Sequence, residues 1–147
     1  ETSKHMERMI GTVRISDDKA LLQIDRICAL LKTSYWAGER ERETIARSIE
    51  HSLCFGVYQN GEQVGFARCV TDYATIFWLA DVILDERVRG QGLGKAMVDM
   101  ILAHELLQGL VGTLATRDAQ GLYQRFGFEP VDARYYRKRV PPKPEEA

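Results

Sequence analysis

The sequence predicts an α/β (α+β) protein: a mixed, mostly antiparallel central sheet of about six to seven strands with helices on both faces. Three observations predict it. Apolar residues recur every three or four positions up to residue 52, and strand-like alternation or continuous apolar runs follow. Asn60-Gly61 separates two of those later segments, which is the spacing of a tight antiparallel hairpin. Further on, a glycine-rich loop joins a third segment to an amphipathic helix, so hairpins come first and a crossover helix later.

Taken in order, Thr12 to Ile15 reads as a first strand. Ser16-Asp17-Asp18 offers N-cap oxygens to a helix through Ala20, Ile24, Ile27 and Leu31, whose apolar positions share one face. Thr33 to Glu39 breaks that pattern, and a second helix runs from about Arg42 to Ser52, with Ile45, Ala46 and Ile49 on one side. Leu53 to Tyr58 and Gln63 to Val70 are the hairpin strands, and Thr75 to Leu84 is a long, mostly buried strand. Lys95 to about Leu107 is helical, Val111 to Thr116 is a strand and Ala119 to Phe126 a short helix. Glu129 to Val131 and Tyr135 to Val140 read as a closing hairpin, whose exposed edges suit a homodimer. Ser3-Lys4-His5-Met6 reads as a cloning scar, so the expectation is a scar over 1–5, one domain over 6–140 and a polar tail over 141–147.

Composition narrows the classes of function. A formal net charge of -1 supplies no basic field for nucleic acid or an anionic membrane. Apolar runs fall far short of the ~20 residues that cross a bilayer. The three cysteines are an odd count without Cys-x-x-Cys spacing, which fits a reduced cytoplasm. His5, His51 and His104 are scattered, so no metal site is expected.

The chemistry concentrates in Arg89-Gly90-Gln91-Gly92-Leu93-Gly94-Lys95. A loop that opens a helix exposes unpaired backbone N–H groups, and the helix dipole favours an anion there. A nucleotide-hydrolase loop would need glycine where Arg89 stands and Ser or Thr where Ala96 stands. A dinucleotide fingerprint needs Gly-x-Gly-x-x-Gly, whereas these glycines give Gly-x-Gly-x-Gly.

With Arg89-x-x-Gly92-x-Gly94 after a strand ending Val82-Ile83-Leu84, and Leu122-Tyr123-Gln124-Arg125-Phe126-Gly127-Phe128 downstream, the sequence resembles the GNAT acyltransferase superfamily. The resemblance spans about Thr12 to Val140. It implies the GNAT fold and acetyl-CoA as cofactor, with the pyrophosphate on the backbone of Arg89 to Lys95. It also implies a pantetheine arm paired along Val82, Ile83 and Leu84, in a cleft where two strands splay. The implied reaction is acetyl transfer to a primary amine of a small molecule or amino-acid-like acceptor by direct attack in a ternary complex. The backbone N–H of Val82 would polarise the thioester carbonyl. Tyr123 would protonate the departing thiolate; from its local pattern alone it is equally a core tyrosine.

The general base is not evident. The family's usual carboxylate position falls near Trp78, which is no base. Asp81 is the one carboxylate inside the apolar strand, either a base or a structural group bonded to a neighbouring loop. Asp118 reads as the N-cap of the short helix. The resemblance assigns the acceptor pocket partly to the N-terminal helices, which nominates Tyr35, Trp36, Arg40 and Arg42, with Tyr73 and Trp78 from the sheet. The alternative function is a catalytically weak module that senses acyl-CoA.

Overall fold

The computed structural model describes residues 4–131 and 134–141. Its sheet contains β1 (Glu7–Ile10), β2 (Val13–Ser16), β3 (Leu53–Gln59), β4 (Glu62–Thr71), β5 (Ile76–Leu84) and β6 (Val111–Leu114), side by side in sequence order. The first five are antiparallel neighbours, and β6 joins β5 in parallel. The helices are α1 (Ile24–Lys32), α2 (Arg42–Glu50), α3 (Leu93–Ala103) and α4 (Gln120–Gln124).

Side chains that alternate along a strand divide the interior into two clusters. On one face Cys54, Phe66 and Ile83 pack with Ile27, Leu30 and Leu31 of α1 and Ile45 of α2. On the other, Phe55, Val57, Ala67 and Cys69 pack with Leu93, Met97, Val98 and Ile101 of α3 and with Tyr123 of α4. Phe55 and Phe66 are fully buried, one on each face. Each contributes about 1.5–3 kcal/mol relative to an exposed ring. At the β3–β4 turn, Asn60 and Gly61 have φ of 52° and 77°, the two left-handed residues that such a hairpin demands.

Several boundaries depart from the sequence reading. The sheet begins earlier, because Glu7–Ile10 pairs with β2 around a turn at Gly11 and Thr12. That strand is largely exposed, so it lacks the apolar signature that betrays a buried one. Asp18 does accept a cap bond, from Ala20 N–H at 3.0 Å, but it caps a short 3-10 turn and α1 starts only at Ile24. α3 stops at Ala103 rather than Leu107. There the buried His104 leaves the helix, its Nδ1 accepting from Leu106 N–H at 3.2 Å and its Nε2 lying 2.8 Å from Asp17 Oδ2. Among the described residues, Glu129–Val131 and Tyr135–Val140 form no strand, so the closing hairpin and the dimer argument built on it both lapse. Residues 1–3 of the expected scar and 142–147 of the expected tail lie outside the described residues.

Candidate active site

β5 and β6 pair from Ile76 with Val111 to Leu79 with Leu114, and no further. β5 runs on to Leu84, while the chain beyond Leu114 leaves the sheet for α4. The parted strands open a cleft of ≈ 640 Å³ lined by Ala80, Asp81 and Val82 on one side and Thr116 and Arg117 on the other. Tyr123 reaches it from α4, and Tyr35 and Trp36 from the segment between α1 and α2.

The cleft wall is bulged. The β4–β5 register shifts between Phe66 and Arg68, so Asp81 and Val82 face no Cα partner on either neighbouring strand. Phe77 and Leu79 pack in the α3 cluster before the bulge, and Val82 and Leu84 after it, so the phase slips by one residue. Strict alternation therefore fails here, although Asp81 and Val82 still serve opposite faces. Asp81 itself takes φ of 53°, which is uncommon for a residue with a Cβ.

Three donors hold Asp81 in that conformation. Trp36 Nε1 donates to Oδ1 at 2.8 Å, and Arg40 Nη1 and Arg68 Nε donate to Oδ2 at 2.9 Å and 2.8 Å. The carboxylate is 2% exposed. Burial alone would raise its pKa, but the Arg68 hydrogen bond and charge, with the charge of Arg40, outweigh burial and hold it below the usual carboxylate range. An acid so engaged is a poor proton acceptor, which weighs against the reading of Asp81 as a base. Arg68 also donates to Ser52 Oγ at 3.2 Å. It escaped the sequence reading; a charged residue inside the apolar run Gly65 to Val70 was the available signal.

The glycine loop follows β5. Asp85 accepts from Arg87 N–H at 3.0 Å and from Arg26 Nη2 of α1 at 3.0 Å, anchoring the turn before the loop. Hydrogen bonds from Arg87 above all, then Arg26, hold its carboxyl well below the ordinary range. Gly90 and Gly92 both have φ of 78°, and a Cβ on either would meet nothing within 4 Å. The backbone angle favours glycine at both places, and the space beyond them is open. Gly92 starts α3 with no side-chain cap, and Ala96 N–H bonds Gly92 O at 3.0 Å, so the amides of Leu93, Gly94 and Lys95 are the donors of an open helix start. Leu93 is buried in the core and fixes the loop, while Arg89, Gln91 and Lys95 are exposed. Gly94 is less constrained, since a Cβ there would touch Leu84 at an ordinary 3.7 Å.

The remaining candidates divide. Tyr123 is buried against Phe128, and burial above all, then Tyr35 and Asp118, raises its pKa, so it stays protonated. Tyr35 Oη accepts from Arg117 N–H at 3.1 Å, and the Arg117 guanidinium sits 3.7 Å from the Tyr35 ring centroid. Trp78 lines the cleft and stacks on Tyr135 at 6.0 Å. Tyr73 sits in the β4–β5 turn with φ of 59° and is not among the residues lining the cleft. Arg42 is occupied by Asp25 on the surface and is likewise outside it. At α4 the hydroxyl of Thr116, rather than Asp118, accepts from Ala119 N–H, at 3.1 Å. Gly127, with φ of 89°, follows the end of α4, its N–H bonding Gln124 O at 3.1 Å.

The profile of the acetyltransferase (GNAT) domain matches residues 50–130, which contain the bulged strand, the glycine loop and α4. The chain belongs to the GNAT acetyltransferase family. A solved GNAT-family structure from Xanthomonas campestris pv. campestris is 42% identical with a TM-score of 0.84, covering 90% of this chain and 96% of that one. A relative in Gibberella zeae is 34% identical over 67% of this chain and 66% of its own length. The spermine/spermidine N(1)-acetyltransferase of Bacillus subtilis is 29% identical over 82% of this chain and 88% of its own length. Against four curated GNAT relatives the chain spans 42% to 66% of their length.

Proposed function

We propose that this GNAT protein is an acetyl-CoA-dependent N-acetyltransferase acting on the primary amine of a small molecule or amino-acid-like acceptor by direct attack in a ternary complex. One observation supports this reading above the others. The β5 edge that β6 leaves unpaired lines one cleft with Tyr123, and the same strand leads directly into the open glycine loop.

The residues present suit coenzyme A. Positive φ at Gly90 and Gly92, with open space where a Cβ would stand, is what close approach of a diphosphate to backbone requires. When bound, acetyl-CoA supplies the acyl group as an activated thioester. Backbone N–H groups between Gly90 and Lys95 bind the diphosphate, and Arg89 adds charge. The edge of Val82 to Leu84, which β6 does not pair, would offer strand-like pairing to the amides of the pantetheine arm, with Leu84 O accepting from Arg89 Nε at 3.2 Å. Val82, which the register shift leaves without a Cα partner, would offer its N–H to the carbonyl oxygen as negative charge develops there. The Tyr123 Oη–H supplies a proton to the departing sulfur. The acceptor loses its proton to water, since Asp81 is engaged by its three donors.

That engagement also favours a second reading, a sensor that binds acetyl-CoA without turning it over. Thiol release from acetyl-CoA, measured across amines, amino acids and peptides, separates the two. Turnover with a small amine supports the enzyme. Calorimetric binding with no release by any acceptor would leave the sensor, and no binding by folded protein would remove both.

A further inference from the structure

The acceptor end of the cleft is cationic. Among the described residues Arg40, Arg68, Arg117 and Arg137 line it against the carboxylates of Asp81 and Asp118, so four positive charges face two negative ones. The coenzyme does not account for this excess. In the reading above its phosphates lie at the glycine loop, and the thioester end that enters the cleft is uncharged. An amine acceptor that was only a cation would be repelled by such a lining.

From this we infer that the acceptor carries a carboxylate besides its amine, and that Arg40 reads it; the inference rests on the acetyltransferase reading above. Arg40 side-chain atoms are 25% exposed, so the guanidinium is half-buried yet still open to the cleft. Its Nη1 is held on Asp81 Oδ2 at 2.9 Å. Among the described residues Nε and Nη2 make no hydrogen bond, and these two form the edge that meets a carboxylate through parallel N–H donors. Arg68 differs, because its Nε and Nη1 are spent on Asp81 and Ser52. Asp81 thus acts as a positioning residue that orients Arg40, with Trp36 and Arg68 fixing Asp81 in turn. A fork already locked loses little side-chain freedom when it takes a carboxylate. Amino acids and other amino-carboxylates fit this pattern, and di- and polyamines do not.

Binding to the complex with CoA tests this without requiring turnover. N-acetylated amino acids and their carboxamides would be titrated into the CoA-loaded protein by calorimetry. The expected result is that some acid binds about tenfold or more tightly than its own amide, the size of one charge-assisted pair. Arg40→Gln should erase that preference. Arg40→Lys, which leaves a cation beside Asp81 without the fork, should reduce it and guards against misfolding of the first variant. Equal binding of acid and amide, no binding of any acid, or a preference that survives Arg40→Lys would overturn the inference. N-acetylspermidine binding as well as the best acid would overturn it too. Failure of CoA to bind strikes the acetyltransferase reading instead.

Discussion

Asp81 holds a left-handed backbone angle inside a strand, at a buried position, as an anion. Each of these is costly alone, and the three donors are what make the combination stable. Asp81→Asn leaves Arg40 and Arg68 without their charge partner. Breaking a buried pair by removing one member typically costs about 3–5 kcal/mol, and urea unfolding at pH 7 should show a loss of that order. The pH dependence has a definite sign. The folded carboxyl is depressed below its unfolded value, ~3.9, so its stabilisation is present above that pH and fades as pH falls through the folded value. The gap between wild type and Asp81→Asn should therefore narrow below about pH 4. A gap that is constant down to pH 2, or that widens, would refute the account. Tyr123 is the complementary case, a buried phenol kept protonated. Tyr123→Phe should lower kcat by about a hundredfold or more while sparing the KM for acetyl-CoA. An unchanged kcat would return Tyr123 to a packing role.

At the scale of elements, the loop between β5 and α3 combines backbone strain with open space. Gly92→Ala places a Cβ at φ of 78°, costing about 1–2 kcal/mol, and projects it into the cradle. Gly11→Ala imposes the same kind of strain, at φ of 59°, in the remote β1–β2 turn, where a Cβ also meets nothing. Both variants should lose similar stability, and only Gly92→Ala should weaken CoA binding, by about tenfold or more. Equal CoA affinity in the two would mean that the diphosphate lies elsewhere. The loop was legible in the sequence because its glycines answer to local backbone geometry. The Asn60-Gly61 hairpin was legible for the same reason. β1 was not, since an exposed edge strand has little apolar period to read. The bulge was not, because Asp81 and Val82 look like two more residues of a regular strand until the register with β4 is known. Arg68 and Arg40 converge on Asp81 from 13 and 41 residues away, a pairing that only the fold creates.

For the whole molecule, the site joins parts that both hydrophobic clusters stabilise. The loop is anchored through Leu93 and Asp85, the first in the α3 cluster and the second tied to α1 by Arg26. Tyr123 belongs to the α3 cluster, while Ile83, between the bulge and the loop, belongs to the α1 and α2 cluster. A ligand spanning the loop and the cleft can therefore be bound only by the folded sheet with helices on both of its faces. Linkage then converts affinity into global stability: CoA at about 100 times its Kd adds about 2.7 kcal/mol. For a chain near this size each kcal/mol raises Tm by about 2–4 °C, so saturating CoA should raise Tm by about 5–10 °C. Thermal unfolding followed by far-ultraviolet circular dichroism would measure it, with Gly92→Ala showing a clearly smaller shift at the same CoA concentration. A Tm that ignores CoA, in protein that calorimetry shows to bind it, would mean that the ligand touches a segment whose opening is uncoupled from the sheet.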